Sequence, residues 1–232
     1  DGAMEGIQFD GTGDAIEFAQ GTGAFSGAMT VETWIQPSSL PVGWNIVATR
    51  WFRDTGGNGA FDWHFAVRNE GGQARLNLFT SSNVTTITGS NFYGSTTLDA
   101  SSSKWYLVGF TIDGTGNLQF YINGVADRAP KAGAARGGNA NAYLWLGDAR
   151  PNPLGFLGRM SEFRLYNKAL SSGEMLASYK TKSATYGLSS IEFKAGDNGV
   201  GSDVARYKYD DVNLTLPNSA VANSYFTREG HT

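Results

Sequence analysis

The sequence predicts an all-β protein in which two antiparallel sheets pack as a sandwich. Three observations carry this. Glycine supplies 31 of the 232 residues, which breaks helix interiors and supplies tight turns. Aromatic side chains make up 13%, and they suit a pleated, half-buried surface. Apolar residues recur with a period of two, while a helical period is nearly missing.

The strands follow in order. Residues 6–9 and 15–18 flank the turn Asp10-Gly11-Thr12-Gly13 as the arms of a hairpin would. Residues 29–36 alternate and stop at Pro37, which cannot donate to a ladder. Residues 45–51 form a short apolar run. Over 61–68 the alternation puts Phe61, Trp63, Phe65 and Val67 on one face, and Asp62, His64, Ala66 and Arg68 on the other. Residues 75–80 and 84–88 come next. Residues 105–112 are almost wholly apolar, as in a strand buried on both faces. Residues 118–122 end at Asn123-Gly124, a strong two-residue hairpin signal. Residues 143–146 and 158–166 complete about eleven strands. One helix is expected, opened by the capping box Ser171-Ser172-Gly173-Glu174, with Met175, Leu176 and Tyr179 as its apolar face.

After residue 183 the texture changes. Residues 196–202 hold three glycines, and the pieces that follow carry little apolar mass. The expectation is a domain over 1–183 and a C-terminal arm over 184–232, too thin in apolar residues to form a core of its own. The arm would dock on the domain or on a neighbouring subunit by adding strands to a sheet edge, with 191–193 and 212–216 as its strand candidates.

Composition excludes several functions. A net charge of −3 and a pI near 5.4 leave no basic footprint for nucleic acid. No apolar run of about 18 residues exists, so no membrane insertion is expected. Without cysteine there is no disulfide framework, thiolate metal site or cysteine nucleophile. Of the two histidines, His64 reads as a half-exposed sheet residue and His231 as part of the chain's tail. The chain opens on Asp1, which suggests processing or trimming, and no signal peptide is recognised.

Four segments carry a family resemblance. They are Ile7-Gln8-Phe9-Asp10-Gly11-Thr12-Gly13-Asp14-Ala15-Ile16-Glu17-Phe18, Met29-Thr30-Val31-Glu32-Thr33-Trp34-Ile35-Gln36-Pro37, the stretch from Trp105 through Tyr121-Ile122-Asn123-Gly124, and Phe156 through Ser171. In this order and spacing they resemble the laminin-G-like jelly rolls of the concanavalin A-like lectin/glucanase superfamily. The resemblance covers about residues 5–180 and implies a two-sheet jelly roll; the arm has no counterpart in it. That fold hosts lectins, glycosidases, adhesion modules and virion proteins, so function must be argued from a site.

The resemblance implies two chemistries to look for. Glucanases of the superfamily use two carboxylates on one strand as nucleophile and general acid. Here the pairs Asp10/Asp14, Asp14/Glu17, Glu192/Asp197 and Asp210/Asp211 sit in turns, straddle a glycine loop or face opposite ways, while Glu32 and Asp62 stand alone. A glycoside hydrolase is therefore the third reading. Many members hold structural Ca²⁺ at the sandwich edge, and Asp10, Asp14 and Glu162 are the candidate ligands here. An Asp-Gly turn with an Asx cap explains the first two equally.

The first reading is a non-catalytic module for glycan or surface recognition, extracellular or on a virion. Carbohydrate recognition needs flat aromatics with polar groups beside them. The candidates, expected in loops, are Trp44, Trp51, Arg53, Tyr93, Asp148, Arg150 and Asn152, whereas Trp34, Trp63, Trp105 and Trp145 are expected in the core. Asn83-Val84-Thr85 and Asn213-Leu214-Thr215 are glycosylation sequons. The alternative is an architectural phage or viral decoration or fibre protein without glycan binding, a homo-oligomer held through residues 184–232.

Overall fold

The computed structural model describes residues 6–53, 59–82, 89–100, 104–148, 155–183, 194–195 and 206–208, with backbone alone at 52–53, 59–60, 182–183 and the last two pieces. Its strands are β1 (Ile7–Asp10), β2 (Ala15–Glu17), β3 (Met29–Pro37), β4 (Gly43–Arg53), β5 (Gly59–Glu70), β6 (Gln73–Thr80), β7 (Ser90–Thr97), β8 (Tyr106–Ile112), β9 (Leu118–Ile122), β10 (Val125–Lys131), β11 (Tyr143–Leu146) and β12 (Leu157–Tyr166). The helix α1 (Ser172–Ser183) and two short strands, β13 (Lys194–Ala195) and β14 (Arg206–Lys208), follow.

These form two sheets. Sheet A runs β1-β12-β3-β8-β9-β10, with β13 added in parallel beside β12. Sheet B runs β14-β2-β11-β4-β5-β6-β7. Non-consecutive neighbours such as β12 between β1 and β3 are the crossovers of a jelly roll. The predicted sandwich is therefore present. The core between the sheets is built by alternate residues: Met29, Val31 and Ile35 of β3, Val108, Phe110 and Ile112 of β8, and Trp63, Phe65 and Val67 of β5. Trp63 and Phe65 meet Phe110 edge-on at 5.9 and 5.1 Å.

Two turns show why their glycines are required. The β9–β10 hairpin turns on Asn123 and Gly124 with φ of +52° and +75°, as a two-residue hairpin demands. Gly147, at φ +86°, ends β11, and a Cβ there would run into the Phe9 ring. One strand expected as loop, β7, is joined across the sandwich to β10 by one carboxylate. Asp127 of β10 accepts hydrogen bonds from the backbone N–H and hydroxyl of both Ser95 and Thr96 of β7, at 2.8–3.1 Å.

The capping box forms as expected. The Ser171 N–H donates to Glu174 at 2.7 Å, and the Glu174 N–H donates back to Ser171 Oγ at 3.3 Å. α1 lies on the outer face of sheet A, where Met175 packs with Tyr121 and Leu170, and Tyr179 stands 5.7 Å from Trp34. Trp34 is thus under the helix, not between the sheets. Its neighbours Val31 and Ile35 face the core, and strand parity turns it outward. Half-buried Trp105 packs against the same cluster. The arm's described strands are Lys194–Ala195 and Arg206–Lys208, one on each sheet of this domain; 191–193 and 212–216 lie outside the described residues, as do both sequons and His231.

Candidate functional site

The outer face of sheet B gathers a cluster of aromatic and basic side chains. Residues paired across an antiparallel ladder share a face, so the register reads that face off as rows. One row is Tyr143, Trp51 and Phe61. The next is Trp145, Thr49, His64, Phe79 and Asn91. Then come Ile46, Ala66, Asn77 and Tyr93, and finally Trp44, Arg68 and Arg75. α1 packs on sheet A, so among the described residues no helix covers these rows.

Two bulges assemble this face. Ile46 pairs with Ala66 but Ala48 with Phe65, so Val47 is an extra residue on β4. Arg50 pairs with Trp63 but Trp51 with Phe61, so Asp62 is extra on β5. Each extra residue reverses the alternation beyond it. That is why Phe61 joins Trp51 and His64 on the outside, and not Trp63 in the core as strict alternation predicts.

The aromatic rings touch one another. Trp51 meets Trp145 edge-on at 5.3 Å and stacks on Phe61 at 6.0 Å. His64 lies 3.8 Å from Phe61 and 5.9 Å from Trp44. Trp51, His64 and Trp145 are only 3%, 6% and 8% exposed and form the floor. Trp44, Phe61, Phe79 and Tyr93 are half-buried and stand around it. Burial pushes His64 down to about 3, so its imidazole is neutral at ordinary pH. Trp51 Nε1, Trp145 Nε1 and His64 Nδ1 are buried without a hydrogen-bond partner. Such atoms are costly unless something supplies the missing partner.

The expected site residues divide. Trp44, Trp51 and Tyr93 reach this face together, but from strands β4 and β7, not from loops. Trp51 is buried among other rings instead of projecting freely. Trp145, expected in the core, stands on the outer face because Leu144 and Leu146 on either side of it face inward. Asp148 is buried and engaged within the protein, so it presents no open carboxylate. Arg53 ends β4 opposite Gly59, with its side chain outside the description; Arg150 and Asn152 lie outside the described residues. His64, Arg68, Arg75, Phe61 and Phe79 were missed as ligand candidates. The alternation of 61–68 and 75–80 carried the signal for the first three, but His64 and Arg68 read as an ordinary polar face.

The three calcium candidates do not fit one ion. Asp10 accepts the Thr12 N–H at 2.7 Å as an Asx cap, and Asp14 accepts the Asp10 N–H at 2.9 Å. Glu162 sits five positions along β12 from Leu157, the partner of Asp10, roughly 16 Å away at strand rise. A bulge at Glu162, φ +50°, aims its carboxylate at Arg164. Among the described residues no three histidines, aspartates or glutamates converge as metal ligands.

Glu32 and Asp62 are both held in buried ion pairs. Glu32 accepts from Arg164 at 2.9 Å, Ser178 at 2.7 Å and Tyr166 at 3.3 Å, on the outer face of sheet A beneath α1. Burial and the Glu32 charge push Tyr166 up to about 12. Asp62 lies 2.6 Å from Arg50 and accepts the Gly138 N–H at 3.0 Å. Burial pushes the Asp62 carboxyl up, against the pull of Arg50 and Gly138. The two acids sit on different sheets, so they cannot serve as a glycosidase pair about 5 Å apart.

The family model described as "Concanavalin A-like lectin/glucanases superfamily" matches residues 10–175. Among solved structures, the native heptameric SAP-like pentraxin from Limulus polyphemus has a TM-score of 0.56 at 16% identity, over 86% of this chain and 90% of that one. The CBM40 of Ruminococcus gnavus IT-sialidase gives 0.58 at 11% identity, over 76% and 97%. Domain 4 of AbnA, a GH43 extracellular arabinanase from Geobacillus stearothermophilus solved with arabinotriose, gives 0.54 at 21%, over 73% and 74%. No curated protein sequence matches the chain.

Proposed function

The chain belongs to the concanavalin A-like lectin/glucanases superfamily, and from that premise we propose that it is a non-catalytic carbohydrate-binding module whose ligand lies across the outer face of sheet B. The observation that carries this is the aromatic floor of Trp51, Trp145 and His64 with half-buried Trp44, Phe61 and Tyr93 around it. Sugars present C–H faces that stack on the accessible rings of Trp44, Phe61 and Tyr93, and polar side chains of the same face, Arg68 and Arg75 among them, can meet their hydroxyls. The extended sheet face suits a chain of sugars better than a single one. The setting in which such a module works is outside the cell, on glycans of a cell or particle surface. The carbohydrate-binding domain and the arabinanase domain among its structural neighbours support the reading by likeness of fold.

The engagement of Glu32 and Asp62 in ion pairs supports a binder over a hydrolase. The test is a glycan array probed with the labelled chain and with Trp44→Ala. Binding that Trp44→Ala weakens across all hits supports the proposal; an array without hits for the wild type defeats it.

The architectural alternative is favoured by the arm, which adds β13 to one sheet and β14 to the other. Both strands pair with this same chain, so stabilisation of the domain is the nearer role. A chain ending at residue 183 whose melting and oligomeric state match the full chain would remove the arm from both roles.

A further inference from the structure

Arg68 and Arg75 are directly opposite each other in the β5–β6 ladder, on the same face as the aromatic floor. Like charges in that position repel, and a sheet does not place them there without compensation. The compensation is partial. Arg68 donates to Glu70 at 2.8 Å, and Glu70 is the exposed acid of this group. Tyr93, whose hydroxyl donates to the same Glu70 at 3.4 Å, has its ring 5.8 Å from the Arg68 guanidinium and 5.7 Å from that of Arg75. The Trp44 ring lies 4.3 Å from Arg68. Two cations against one carboxylate leave about one positive charge, and the Nε of each arginine is buried without a partner.

We infer that this arginine pair is the subsite for the carboxylate of an acidic sugar. The inference rests on the proposed glycan-binding role and names the class of ligand. A guanidinium offers adjacent N–H groups in a planar fork, which a carboxylate accepts in bidentate fashion. Tyr93 and Trp44 fix the two forks by stacking, so little side-chain freedom is lost on binding. His64 lies four positions along β5 from Arg68, roughly 13 Å. A single oligosaccharide therefore reaches from the aromatic floor to the arginines, with its neutral units on the rings and its acidic unit on Arg68 and Arg75.

The experiment measures binding of three oligosaccharides matched in length: an oligogalacturonate as the free acid, the same oligogalacturonate as its methyl ester, and a galactan that carries sulfate in place of carboxylate. Proteins are the full chain, Arg75→Gln, Arg75→Lys and Trp44→Ala, each checked for an unchanged melting curve. The expected result is that the free acid binds at least ten-fold more tightly than its ester and that this preference weakens with salt. Arg75→Gln abolishes the preference, and Arg75→Lys restores only part of it. An Arg75→Gln variant that keeps the preference overturns the inference while leaving the glycan reading intact, as does an ester that binds equally well. Tighter binding of the sulfated arm overturns the carboxylate assignment. No binding by any arm, with an empty array, overturns both.

Discussion

Trp51 and Trp145 meet edge to face, ring centres 5.3 Å apart, on the outside of sheet B. Both lie one strand apart on a surface where solvent-facing residues are ordinarily polar. Each keeps a buried indole N–H without a partner. Trp34 under the helix and Trp63 in the core share that unmet donor, so it is the meeting of two indoles on an outer sheet face, and not the donor itself, that marks the place.

Trp44 is the test of stacking that disturbs the fold least. It is half-buried at the edge of the face, packed on Ile46 and Ala66. Truncation to alanine is expected to cost about 2 kcal/mol of binding, roughly thirty-fold in Kd. Calorimetric titration with an array hit checks it.

His64 makes the domain sensitive to acid. Its folded pKa is pushed down to about 3 by burial, against 6.5 in the unfolded chain. Above pH 6.5 neither state holds the extra proton and the contribution is complete. Between 6.5 and 3 the unfolded chain takes up a proton that the folded chain refuses. Stability then falls by about 1.4 kcal/mol per pH unit. Urea unfolding at pH 7.5 and 4.5 should show His64→Phe losing about 2–3 kcal/mol less than the wild type. Equal losses would show that the imidazole is not held neutral.

Arg50 and Asp62 form a buried pair at 2.6 Å, and Arg50 also donates to the Asn139 carbonyl at 2.8 Å. Arg50→Met leaves a buried carboxylate without its counter-charge and is expected to destabilise by about 3–5 kcal/mol. Removing both charges, as Arg50→Met with Asp62→Leu, should recover most of that. Chemical denaturation of the three variants makes the comparison.

Ser171→Ala removes one half of the capping box and should lower stability by about 1 kcal/mol. Because the Glu174 carboxylate is held down to about 2 chiefly by the Ser171 N–H, the box contributes fully above the ordinary carboxylate range. It is lost as pH falls through about 2. Helical circular dichroism against pH, wild type against variant, reads both.

Much of the fold was legible because period-two alternation and turn chemistry are local. The 10–14 and 123–124 turns, the buried 106–112 strand and the Ser171 cap each carry their own signal. β7 was not legible: Ser90–Thr97 is polar, and it is a strand because it pairs with β6 and is tied by Ser95 and Thr96 to Asp127 of β10 across the sandwich. The site was half legible. Trp44, Trp51 and Tyr93 were singled out by residue type, but their meeting depends on the extra residues Val47 and Asp62. A bulge is a property of the pairing between strands, and no single strand announces it.

The indole N–H signals of the six tryptophans, followed by ¹H–¹⁵N NMR during titration with a glycan that binds, test the central claim most directly. The account predicts that Trp44, Trp51 and Trp145 move together with ligand, while Trp63 in the core and Trp34 and Trp105 under the helix stay in place. Movement confined to Trp34 and Trp105, or binding that moves none of the six, would contradict it.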